Sequence, residues 1–314
     1  MFNLLAPYAF FILLGIFWQF SKPNGITAES LRSSINTAIL RLLLPLVVFF
    51  TIQDLPLNDA ALKILLYVIA TSLITVGVAW FWLSKTSLPA NTKGAYLIAA
   101  TFGSVVFLGM PLNKALFSDW TMRVAIEYML VANVLVLFTA GAIFAKHLAG
   151  PARATLKDTA SVVFNDYPLW LKEPLVWAAV AGWLMNIVEL DLASWAVQIS
   201  RMLEAMLIPL LLFSVGLSLK WQSKWQGELA GLAPVVVIKL LLVPVIMWAM
   251  AYFFGSAGVQ TTKSLIVDSM MPATAFGFLM CHRYKLDMES YSLAFTATSV
   301  LALLTVPAWY NVLL

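Results

Sequence analysis

The 314-residue chain is 62% hydrophobic and only 11% charged, with a mean hydropathy of +0.91. A soluble domain carries charge on about a quarter of its residues, so a water-facing globular surface is excluded. The net charge of +4 lies in loop lysines and arginines and gives no nucleic-acid-binding stripe, and the single cysteine, Cys281, excludes an intrachain disulfide and a cysteine metal cluster.

Apolar runs are predicted as helices near 4–20, 34–52, 62–83, 94–117, 122–145, 173–189, 195–219, 229–253, 260–282 and 290–312. Each is long enough to cross a hydrocarbon core of ~30 Å, so the fold class is an all-α polytopic protein of the lipid bilayer. The first run, MFNLLAPYAFFILLGIFWQF, has no basic leader and no small-residue cleavage site, and is expected to be a retained helix. The second carries Arg41 and Pro45, and the fourth carries Gly103, Gly109, Met110 and Pro111. Asn133 falls in the fifth. A mixed-charge connector with Pro151 and Pro168 follows over 146–172. The seventh run holds Glu204 and Pro209, the eighth Lys239, and the ninth Asp268, Met271 and Pro272. Basic residues such as Lys22, Lys85, Lys146, Lys220 and Arg283 concentrate in the connections after odd-numbered runs. The positive-inside rule makes those connections cytoplasmic and places both termini outside the inner membrane.

The second half echoes the first. Pro7 and Gly15 match Pro174 and Gly182, each 167 residues on, and Pro45 answers to Pro209. Pro111 in GMPLN pairs with Pro272 in MMPAT, and VLVLFT (134–139) with VLALLT (300–305). The expected organisation is a five-helix repeat over 1–145, the connector 146–172, and a second repeat over 173–314. Five is odd, so the second repeat is inverted, the arrangement that serves alternating access.

A proline inside a helix costs about 3 kcal/mol or more, and unwound backbone in lipid survives only inside protein or beside a wet cavity. Matched Met-Pro pairs in the fourth helix of each repeat therefore predict two broken helices, with half-helices resuming at Leu112 and Ala273. Their N-termini favour an anion. The candidate binding residues are Gly109, Met110, Pro111, Asn113, Met271, Pro272 and Thr274, with Lys239 and Arg41 as positive charges. Buried ionisable groups within spans mark functional candidates. Asp268, one turn before Pro272, is the first choice for proton or cation coupling and Glu204 the second coupling candidate; structural roles, such as an Asp268–Lys239 pair, are the alternative. No HExxH, GxSxG or phosphate-loop pattern is present, so neither an enzyme nor a pump is expected, and no cofactor or metal is called for.

The stretches INTAILRLLLPLVVFF, ATFGSVVFLGMPL, IPLLLFSVGLSL and MMPATAFGFLMCHRYKLD together resemble the auxin efflux carrier family, whose bacterial members include malonate and malate permease-like proteins. The resemblance covers essentially the whole chain. It implies an inverted five-plus-five fold with helices 4 and 9 crossing at their prolines. It also implies a scaffold of helices 1, 2, 6 and 7, through which a homodimer forms, and a mobile core of the elevator type. Met110 and Met271 replace the asparagine that plant auxin exporters carry before each crossing proline, and the long central loop of those exporters is absent. The implied function is secondary active transport of a small mono- or dicarboxylate, proton-coupled or uniport. The alternative is a sodium-coupled organic anion symporter of the bile-acid type.

Overall fold

Apolar segments in lipid have no water to satisfy their peptide groups, so they close hydrogen bonds along themselves as helices. The computed structural model describes residues 2–53, 59–150, 171, 173–189, 192–219, 225–255 and 257–313. Residues 151–170 and 172, most of the predicted connector, lie outside the described residues. Among those described the fold is all-α, with no strand beyond one isolated bridge. The first helices are α1 (Phe2–Ser21), α2 (Ala28–Gln53), α3 (Asp59–Ser84), α4 (Ala90–Thr101) and α5 (Val105–Phe117). Next come α6 (Thr121–Ala149), α7 (Pro174–Ile187) and α8 (Ser194–Ser218). The last are α9 (Gly231–Phe254), α10 (Val259–Ser269), α11 (Phe276–Tyr284) and α12 (Met288–Leu313).

Six of these, α2, α3, α6, α8, α9 and α12, are long and apolar enough to cross a membrane. The predicted runs 94–117 and 260–282 each divide into two helices, α4 with α5 and α10 with α11.

Internal prolines are absorbed rather than breaking their helices. Wide π-helical turns at Ile39–Leu43, Val105–Gly109 and Ile238–Leu242 precede Pro45, Pro111 and Pro244. The pyrrolidine ring clashes with the carbonyl four residues back, and a widened turn makes room for it. At Pro244 that carbonyl belongs to Leu240, and the Trp309 indole N–H donates to it at 2.7 Å. This corrects the expectation at Pro111. Helix α5 runs unbroken from Val105 to Phe117 through the proline, so no half-helix begins at Leu112.

The chain divides into two compact units. Unit 1 comprises Met1–Asn58, Val106–Ile126 and Leu171–Leu219; unit 2 comprises Asp59–Val105, Glu127–Trp170 and Lys220–Leu314. In unit 1, α1 packs on α8 and α7 packs on α2. A Cβ on Gly15 would overlap the Phe213 carbonyl, and one on Gly182 would lie 2.5 Å from the Phe49 carbonyl. Small residues let these helices touch backbone to backbone. The Gln19 amide then donates to the Gly216 and Leu219 carbonyls (2.7 and 2.8 Å) at the end of α8. The Asn186 amide donates to the Gln53 carbonyl (2.5 Å) at the end of α2. Gln19 and Asn186 are 167 residues apart, the same separation as Gly15 and Gly182.

Unit 2 collects α3, α4, most of α6, and α9 to α12. Helix α4 packs on the end of α6 and against α3 and α12. Asp287 ties the start of α12 to the start of α4. It accepts the Ser290 and Glu289 N–H groups (3.0 and 3.1 Å) and the Ser290 and Thr92 hydroxyls (2.6 and 2.8 Å).

Candidate functional site

Helix α4 ends where Phe102 adopts an extended backbone, and helical structure resumes only at Val105. Helix α10 ends at Ser269, and helical structure resumes at Phe276. The two interruptions, Phe102–Ser104 and Met270–Ala275, meet inside unit 2. Gly103 and Ala273 form an antiparallel bridge. The Ser104 N–H donates to the Pro272 carbonyl at 2.7 Å, and the Thr274 N–H donates to the Phe102 carbonyl at 3.0 Å. Pro272 can only accept here, since it has no N–H.

Three further backbone groups of the breaks are met by side chains from α6 and α12. The Asn133 amide, on α6, donates to the Gly103 carbonyl at 2.9 Å. Thr298, on α12, accepts the Ala273 N–H at 3.2 Å while its own hydroxyl donates to the Ala294 carbonyl at 2.8 Å. The Tyr291 hydroxyl donates to the Thr274 carbonyl. Thr274 also caps α11, its hydroxyl accepting the Phe276 N–H at 3.3 Å. Gly277 makes room for Tyr291, because a Cβ there would overlap the phenol ring. Buried backbone groups without partners are costly, and this set explains how unwound chain is tolerated at such depth.

Lys239 projects from the π-helical turn of α9 into this junction. The side chain is fully buried. Its ammonium donates to the Ser269 carbonyl at 3.4 Å, and a Cβ on Gly103 would lie 3.0 Å from its Nζ. Asp268, also fully buried, is in the last turn of α10, and the buried Tyr128 lies within the field of its carboxylate. Among the described residues, Ser104 Oγ and Asn133 Oδ1 at the junction have no hydrogen-bond partner, each on a residue about 1% exposed.

Of the predicted site residues, Met271, Pro272, Thr274, Lys239 and Asp268 come together in unit 2. The second half-helix starts at Phe276, three residues later than predicted at Ala273, with the Thr274 hydroxyl accepting the Phe276 N–H just ahead of it. The first break lies at Phe102–Ser104, eight residues before Pro111 when counted from Gly103. Gly109, Met110, Pro111 and Asn113 sit buried along continuous helix α5 in unit 1. Arg41 is exposed on the π-helical turn of α2, and Glu204 is half-buried on α8, both in unit 1. Phe102, Gly103, Ser104, Tyr291 and Thr298 were not singled out as site residues by sequence. One signal was available: an offset of 169 aligns Phe107 with Phe276 and sets Gly103 opposite Pro272.

The model of the membrane transport protein family matches residues 1–310. The chain belongs to this family. The resemblance to auxin efflux carriers read from the sequence is membership of the same group. An uncharacterized transporter of Methanothermobacter thermautotrophicus is 22% identical over 294 residues, covering 93% of this chain and 92% of that protein. An uncharacterized transporter of Methanocaldococcus jannaschii is 23% identical over 310 residues, covering 96% of each. The chain is thus a multi-pass membrane transport protein.

Proposed function

We propose that this protein is a secondary active transporter of a small organic anion, a mono- or dicarboxylate, bound where the two unwound segments pair. The observation that carries the proposal is the buried Lys239 ammonium set against Gly103, between Ser269 and the start of α5. A buried cation needs a counter-charge or hydrogen-bonding partners. The first N–H groups of a helix have no intrahelical partner and carry the positive end of its dipole. Lys239, the start of α5 at Val105 and the unpartnered Ser104 hydroxyl together favour a carboxylate. Asp268 is assigned to proton coupling.

Two inverted five-helix repeats, ten spans in all, are the proposed frame. Its support is the common 167-residue separation of Pro7/Pro174, Gly15/Gly182 and Gln19/Asn186; the two glycines serve the same close helix packing and the two amides the same capping of a neighbouring helix end. Transport proceeds by elevator-type alternating access, unit 2 carrying the site and unit 1 serving as scaffold. The division of the chain into these units supports that assignment. A homodimer through α1, α2, α7 and α8 (the first, second, sixth and seventh predicted spans), an inner-membrane location and outside termini complete the proposal. Gly109, Met110, Pro111, Asn113 and Arg41 enter it as unit 1 residues to be tested by substitution.

The test is thermal stabilisation of the purified protein by a panel of small carboxylates, with and without sodium. A ligand binding only the folded state raises apparent stability by about 2.7 kcal/mol at one hundred times its dissociation constant. At least one carboxylate should raise the melting temperature without sodium, and Lys239→Gln should lose that response. Stabilisation that requires sodium would favour the symporter. No response to any carboxylate would overturn the anion assignment.

A further inference from the structure

A second set of charged side chains lies in unit 1. The end of α2, the end of α5, the turn before α6 and the first turns of α8 enclose a cavity of about 680 Å3. Its charged lining is Lys114, Asp119, Arg123, Arg201 and Glu204, and Trp120 forms part of the wall. That volume is within the range of small-molecule sites.

The charges do not cancel. Lys114 and Asp119 form an ion pair at 2.9 Å and neutralise each other. Glu204 accepts a hydrogen bond from Ser200 at 3.4 Å. Arg123 and Arg201 make no ion pair among the described residues, even though Arg201 stands three positions before Glu204 on the same helix. Among the described residues, the lining therefore carries two guanidinium groups outside any ion pair and the Glu204 carboxylate. A guanidinium keeps its charge at every accessible pH and offers a planar fork of N–H donors matched to carboxylate or phosphate. The Trp120 indole N–H is taken by the Phe117 carbonyl at 3.2 Å, which leaves its ring as an apolar wall.

We propose that this cavity is a second oxyanion-binding site, separate from the unwound segments, in which Arg123 and Arg201 hold a carboxylate or phosphate. Glu204 sets its selectivity: a carboxylate beside the ligand weakens anions and limits the charge the cavity accepts. The oxyanion comes either from a soluble anion or from the headgroup of an anionic phospholipid.

The experiment uses the full chain with Ala205, which lines the cavity, replaced by cysteine as a reporter; the native Cys281 is buried. Maleimide labelling is timed in nonionic detergent with malonate or inorganic phosphate, and in nanodiscs of phosphatidylcholine with or without phosphatidylglycerol. A probe at ten times its dissociation constant should slow labelling roughly tenfold. Protection by a soluble anion identifies a solute site, and protection by phosphatidylglycerol alone identifies a headgroup site; either supports the proposal. Arg123→Gln and Arg201→Gln, singly and together, should raise the midpoint about tenfold or more, with Arg201→Lys intermediate. Glu204→Gln should lower it, an opposite sign that general loss of folding does not produce. Lys239→Gln should leave it unchanged, so this site stands or falls apart from the transport site. Labelling indifferent to all three probes, or a midpoint unmoved by both arginine substitutions, would overturn the proposal.

Discussion

Gly277 offers the sharpest check on how the second break is held. A Cβ at this position would overlap the Tyr291 ring, which is fully buried and packed edge-on against Phe278 at 5.0 Å. Gly277→Ala therefore forces the phenol out of place and separates its hydroxyl from the Thr274 carbonyl. Overpacking costs about 1–3 kcal/mol, and losing the Tyr291 hydrogen bond about 1 kcal/mol more, since the Thr274 carbonyl keeps the Gly277 N–H at 3.2 Å. Together these correspond to a fall of roughly 4–8 °C in melting temperature at ~2 °C per kcal/mol. Tyr291→Phe removes only the hydroxyl and should cost the smaller share. In a Tyr291→Ala background the obstruction is gone. There Gly277→Ala should become neutral or stabilising by up to ~1 kcal/mol, since alanine is the better helix former. The assay is thermal unfolding of the four purified proteins, completed as a double-mutant cycle. An unchanged melting temperature for Gly277→Ala, or the same penalty in both backgrounds, would refute the reasoning.

Trp309→Phe should cost about 1 kcal/mol by orphaning the Leu240 carbonyl, and adding Pro244→Ala should recover part of it by restoring a backbone donor; additive losses would contradict this. At Asp287, burial pushes the carboxyl up, but hydrogen bonds from Ser290, Thr92 and Glu289 outweigh it and hold it below the usual carboxylate range. Its contribution to stability is present above the unfolded value of about 3.9 and lost as pH falls through the lower folded value. The stability gap between wild type and Asp287→Asn should thus be constant from neutral pH to about 5 and narrow below about 4. A gap independent of pH in that acidic range would contradict the assignment.

The helices and the family were legible because long apolar runs leave the backbone no alternative to helix in lipid. Lys239 and Asp268 stood out as charges inside such runs, and Pro272 marked the second break correctly. Pro111 misled for a physical reason: a π-helical turn absorbs its ring, whereas the true interruption at Gly103–Ser104 carries no proline. Small apolar sequence there conceals a break that is specified by tertiary partners. Asn133 and Thr298 lie far along the chain from the groups they satisfy, so periodicity could not assign them. The arginine-lined cavity was hidden likewise, since the i,i+3 spacing of Arg201 and Glu204 is also that of an ordinary helix-surface pair.

Counterflow in proteoliposomes tests the central claim most directly. Vesicles loaded with an unlabelled carboxylate that stabilises the protein should transiently accumulate the labelled form above equilibrium, and the process should saturate. Ser104→Ala and Lys239→Gln should each raise the half-saturating concentration, by about tenfold for every 1.4 kcal/mol of lost interaction. Accumulation that never exceeds equilibrium, or identical half-saturation in wild type and both variants, would contradict a carrier that binds its anion at the paired breaks.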